Sequence, residues 1–125
     1  MKHPEDELHI AAVRWFNYQF PLLRDYLHHS PNEGSRSRKV NKYGVEYSPE
    51  ASRLKKKGTK PGFPDIAIYY KSKGFSGIAI ELKAGKGKLS DAQIGWLDRL
   101  TDQGWFTACV DNLDEFIKIV TSYLK

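Results

Sequence analysis

At 125 residues, with one cysteine, 40% hydrophobic and 28% charged residues, the chain has material for a single folded core and none for an internal disulfide. No run approaches the ~18 apolar residues of a membrane span, and the opening Met1 to His9 is too polar and acidic for a secretory leader, so a cytoplasmic protein without membrane association is expected. The net charge of +5 is unevenly placed: Arg36 to Lys88 holds 14 Lys and Arg against four acids, a surface suited to a polyanion, while the remainder is acidic.

Leu8, Ala11, Ala12, Trp15 and Gln19 recur at helical spacing, which predicts a first helix over 5–20 that Pro21 ends. Leu22 to His29 reads as a short strand, and Ser30-Pro31-Asn32-Glu33-Gly34 as a turn. From Ser35 to Tyr47 no period is sustained, which predicts a basic loop in which Tyr43 and Tyr47 are interleaved with Arg36, Arg38, Lys39 and Lys42. That mixture suits unstacked bases or a phosphate backbone. Ser48-Pro49-Glu50 then opens a short helix to about Lys57, with proline at the first helical position and Gly58 as the stop.

The period next changes to two. Asp65 to Tyr70 and Gly77 to Lys83 are β-type runs joined by a short turn, hence a hairpin. Its apolar pattern sets Ile66 opposite Ile80 and Ile68 opposite Ile78, which places Asp65 opposite Glu81 on the other face with Lys83 on the same side. Ser90-Asp91-Ala92-Gln93 is a capping box that opens a helix with Leu89, Gln93, Trp96, Leu97 and Leu100 in one stripe, to about Gln103. Trp105 to Val110 reads as a strand, and Asn112 opens a last helix with Leu113, Phe116, Ile117, Val120 and Leu124 on one face. The order is αβαββαβα, an α/β fold of one domain over residues 1–125 with a mixed sheet flanked by helices. Trp15, Trp96 and Trp105 fall within these elements and read as core residues.

Two carboxylates directly opposed across an antiparallel pair are about 4.5–5.5 Å apart at Cβ and repel each other unless a cation intervenes. Asp65 and Glu81 therefore suit a hard divalent ion, and Lys83 beside them could orient a water or stabilise charge developing on phosphate. The plain alternative is that Asp65 ends a turn and Glu81 with Lys83 forms a solvated strand face. Gln93 likewise has two readings, a group at the site or only the reciprocal partner of the Ser90 cap.

Gly62-Phe63-Pro64-Asp65, then Glu81-Leu82-Lys83-Ala84-Gly85, then Leu89-Ser90 with Gln93 and Trp96, resembles the VRR-NUC branch of the PD-(D/E)xK nucleases, most closely its small stand-alone versions from phages and bacteria. The resemblance implies a restriction-endonuclease-like core that hydrolyses DNA phosphodiesters with Mg²⁺ or Mn²⁺. For stand-alone members it implies a homodimer acting on branched DNA such as four-way (Holliday) junctions. Matched position by position, Asp65 and Glu81 are the metal-binding acids, the backbone carbonyl of Leu82 completes the metal site, Lys83 is the catalytic lysine and Gln93 the helix glutamine. The family's first-helix glutamate matches Glu7, with Glu5 as the other choice. His28 or His29 with Asn32 matches a histidine-asparagine segment near the site or substrate. The basic residues Arg36, Arg38, Lys55, Lys56, Lys57, Lys60, Lys86 and Lys88 are expected to hold phosphates without reading bases. The competing expectation is a non-catalytic DNA-binding or scaffold domain of the same fold. The stretch from Arg36 to Tyr47 departs from the shorter family pattern.

Overall fold

The computed structural model describes residues 4–30, 39–85 and 87–125. Helix α1 (Pro4–Gln19) is followed by a 3-10 turn (Pro21–Tyr26), strand β1 (Leu27–His28), a small hairpin of β2 (Lys39–Val40) and β3 (Glu46–Tyr47), and helix α2 (Pro49–Lys56). Strands β4 (Ile66–Ile68) and β5 (Ile78–Leu82), helix α3 (Asp91–Asp102), strand β6 (Phe106–Val110) and helix α4 (Leu113–Leu124) complete the chain. The main sheet has the order β1-β4-β5-β6, with β1–β4 and β4–β5 antiparallel and β5–β6 parallel. A parallel neighbour needs a crossover, and α3 supplies it.

The hairpin register is the one the isoleucine pattern predicts, Ile66 opposite Ile80 and Ile68 opposite Ile78. These four side chains, with Leu82 and Val110, pack against Ala12 and Phe16 of α1 and Phe116, Val120 and Tyr123 of α4. Each such large apolar group stabilises the fold by roughly 1.5–3 kcal/mol when fully buried, so this face carries most of the stability. The opposite face is built of small or polar residues, Ala67, Ala79, Glu81 and Thr107, and α3 lies over it, with Thr101 Oγ1 2.8 Å from Thr107 Oγ1. A face relieved of the main packing duty can hold charged groups.

Two local expectations change. Leu22 to Tyr26 is not strand: Pro21 lacks an N–H and fixes φ, the Leu23 N–H bonds the Phe20 carbonyl at 2.9 Å, and the chain turns as 3-10 with only Leu27 and His28 left to pair. The expected basic loop contains the β2–β3 hairpin. Asn41 organises its tip, its side-chain oxygen accepting from the N–H groups of Tyr43 at 2.8 Å and Val45 at 3.0 Å, while Gly44 takes φ +79°. Two-residue strands are too short to display alternation. Asn32, Arg36, Arg38 and Lys86 lie outside the described residues. No helix among the described residues is long and apolar enough to cross a membrane.

Candidate active site

The turn before β4 reaches the site only because residue 62 is glycine. Gly62 has φ +80°, and a Cβ there would lie 2.6 Å from the Ala92 carbonyl carbon and 2.7 Å from the Gln93 nitrogen. The turn thus rests on the backbone of the first turn of α3, and Pro64, fully buried, leads directly into Asp65. The Asp65 carboxylate accepts the Leu82 N–H at 2.8 Å, which ties the mouth of β4 to the end of β5. A strand residue's N–H and C=O point to the same side, so the Leu82 carbonyl also faces the Asp65 side.

Glu81 is 3% exposed and hydrogen-bonds Asp65. Burial, then the charge of Asp65, pushes its carboxyl up to about 9, with Lys83 opposing the rise and Glu5 adding to it. Glu81 therefore keeps its proton well above the ordinary carboxylate range in the absence of a cation. Lys83 sits just past the strand, its N–H held by the Val110 carbonyl at 2.9 Å, and a Cβ on Gly87 would lie 3.4 Å from the Lys83 Cδ and 4.0 Å from the Glu5 Oε1.

Gln93 makes the cap and also touches Glu81. Its Oε1 accepts the Ser90 N–H at 2.8 Å while its backbone N–H bonds Ser90 Oγ at 3.2 Å, which is the capping box. With Oε1 so used, Nε2 is free to donate to Glu81 Oε2 at 3.0 Å. One amide caps the start of the helix and orients the buried acid.

Of the two candidate glutamates on α1, Glu5 lies on the side of the site. It shares a helical stripe with Leu8, His9, Ala12 and Phe16, which pack inward, whereas Glu7 heads the stripe of exposed Ile10, Arg14 and Tyr18. Glu5 also acts on the Glu81 carboxyl, and Glu7 does not figure there. One turn beyond Glu5, His9 meets His29 edge to face at 4.4 Å, and burial, then His29, lowers the His9 pKa. His29 Nδ1 is 2.8 Å from the Asp65 backbone carbonyl, which can only accept, so Nδ1 carries the proton of this bond. His28, opposite Ala67 in β1–β4, stands on the Asp65 face and is exposed. Sequence reasoning missed His9; its place one turn after Glu5 was the available signal.

Lys55, Lys56, Lys57, Lys60 and Lys88 are all exposed. Trp15 packs against the core as expected, but Trp96 is half-buried and meets Phe63 at 5.0 Å, beside the site instead of within the main core. Trp105 is also half-buried and meets Tyr69 at 5.1 Å.

The donor set fits a hard divalent cation. Glu81, buried beside Asp65, would exchange its proton for a metal, and Leu82 offers a carbonyl oxygen on the same side. Among the described residues no three His, Cys, Asp or Glu side chains converge to hold a metal by themselves. Two carboxylates and a backbone carbonyl are all oxygen donors, which suit Mg²⁺ or Mn²⁺ better than a tetrahedral zinc site.

The VRR-NUC domain model matches residues 3–111, which includes every one of these groups. The chain belongs to the VRR-NUC family. It is similar to a solved structure described as a VRR_NUC domain protein, at 26% identity and a TM-score of 0.77, covering 99% of this chain and 90% of that one. A comparison with curated proteins finds no match. The VRR-NUC domain here is thus a nuclease-type domain with a four-stranded mixed sheet flanked by helices, its acid pair at the strand ends.

Proposed function

We propose that this VRR-NUC domain is a metal-dependent, structure-selective DNA endonuclease. The observation that carries the reading is the buried Glu81 hydrogen-bonded to the half-buried Asp65, with Lys83 and Gln93 around the pair. A carboxyl pair kept at the cost of burial beside an ammonium group has no packing purpose that two apolar residues would not serve better.

Asp65, Glu81 and the Leu82 carbonyl would hold Mg²⁺ or Mn²⁺, with Glu5 at the rim. The ion supplies an acidified water and neutralises charge on the phosphoryl group. Lys83 orients the attacking water and stabilises charge that grows on the phosphoryl oxygens. As the water oxygen bonds to phosphorus it gives up a proton to solvent, the opposite P–O bond breaks, and the departing oxygen takes up a proton from solvent. Gln93 holds Glu81 in register throughout. The exposed lysines of α2 with Lys60 and Lys88 bind phosphates and read no sequence, which favours selection by DNA shape. Two copies, each presenting one site to one strand, would suit a four-way junction.

The test is cleavage of linear, nicked, flapped and four-way DNA with Mg²⁺, Mn²⁺ or EDTA. Metal-dependent cutting that favours branched substrates is expected. DNA bound yet left intact with either metal would instead mark a scaffold domain. Light scattering of the protein alone decides the dimer.

A further inference from the structure

A cavity of about 410 Å³, lined by Ser30, Gly58, Thr59, Lys60, Phe63 and Trp96, lies beside the catalytic pair, and the hydrolysis above makes no use of it. It is built on the same two segments as the site. Phe63 stands two residues before Asp65, and Trp96 stands one helical turn after Gln93, the residue that holds Glu81. The third wall is where the chain leaves β1 at Ser30 and returns from α2 through Gly58, Thr59 and Lys60.

The lining has a definite chemistry. Phe63 and Trp96 meet edge to face with centroids 5.0 Å apart, and the Arg99 guanidinium lies 5.2 Å from the Trp96 ring, so the aromatic wall is held from two sides. Both rings remain half-buried and outside the main core. Two hydroxyls, Ser30 and Thr59, and one exposed ammonium, Lys60, complete the wall. A volume within the ~300–1,000 Å³ of small-ligand sites, π-faces for stacking, hydroxyls for base edges and a cation for phosphate together describe one nucleotide.

We propose that this cavity receives an unstacked nucleotide of the DNA substrate flanking the scissile phosphate, its base against Trp96 and Phe63 and its phosphate at Lys60. The proposal rests on the nuclease reading and gives it a source of shape selectivity. In continuous duplex the base must first be unpaired and unstacked, whereas a branch point offers it already free.

The experiment walks an abasic residue through the nucleotides around the branch of four-way and flap DNA, and measures Kd in EDTA, where nothing is cut. At one position the wild type should lose about tenfold in affinity. Trp96→Ala should lose a similar factor on intact DNA and then be indifferent to the abasic residue, and Trp96→Phe should recover most of the loss. Lys60→Ala, at an exposed position, should keep the abasic effect while lowering the salt dependence by about one phosphate contact. If Trp96→Ala melts early, Phe63→Leu supplies the same cycle with a smaller change of volume. No sensitive position, or abasic and variant penalties that simply multiply, would overturn the subsite. Because affinity is read without turnover, coupling without cleavage would refute only the nuclease reading, and cleavage without coupling only the subsite.

Discussion

Glu81 shows most directly how a single residue sets fold stability and chemistry against each other. Its carboxyl holds a proton up to about pH 9 in the folded chain, against an ordinary value of 4.5, because it is buried beside Asp65. The unfolded chain gives that proton up near 4.5, so the metal-free protein should lose stability as pH rises from there to about 9 and change little beyond. Thermal melts in EDTA across that range check the slope, and Glu81→Gln should flatten it. The same variant should reduce cleavage on the order of 10³-fold, since the amide cannot replace a charged oxygen ligand. Added Mg²⁺ should raise the wild-type melting temperature more at pH 8 than at pH 5, because the ligand must be deprotonated to bind. Gln93 separates its two duties under substitution. Gln93→Ala should cost roughly 0.5–1 kcal/mol as the reciprocal cap is lost, and should also slow cleavage. Gln93→Glu keeps a carboxyl oxygen for the Ser90 N–H but places a third acid against Glu81, so melting should change less than turnover. Equal effects of the two variants on cleavage and melting would show that Gln93 serves only the helix.

At the scale of elements, α3 and the turn on which it rests position the site. Gly62→Ala would drive a methyl into the Ala92–Gln93 backbone at a φ that side chains avoid, and should destabilise by roughly 2–3 kcal/mol while shifting the first turn of α3. A melt and a cleavage assay on the folded fraction together test whether Gln93 has moved. The short α2 has the opposite character. Its exposed lysines and Lys57 just after it contribute little to the fold, so Lys55, Lys56 and Lys57 changed together to Ala should leave melting near wild type. The slope of log affinity against log salt should fall by about 0.9 for each phosphate contact removed. An unchanged slope would place the DNA elsewhere. Capping boxes and isoleucine alternation were legible in the sequence because each is a local pattern. The β2–β3 hairpin was not, since its tip depends on the Asn41 side chain and Gly44 while its two-residue strands show no period.

Over the whole molecule the two faces of the sheet divide the work. The isoleucine face meets α1 and α4 and holds the fold together; the face of Ala67, Ala79 and Glu81 meets α3 and holds the acid to which the proposed chemistry is assigned. Sequence alone determined the order of the larger elements, the β4–β5 register and the pairing of Asp65 with Glu81, because alternation and capping act between near neighbours and a one-residue slip would expose every isoleucine. Tertiary structure decided the rest. That Glu5 and not Glu7 lies beside the acids depends on how α1 is rolled against the core, and that His9 and His29 meet at Asp65 depends on β1 pairing with β4. That Trp96 lines a cavity beside the site follows from the seat of α3 on Gly62. Each of these is a contact between segments far apart in the chain, whose geometry is set by packing and leaves no periodic mark on the residues that make it.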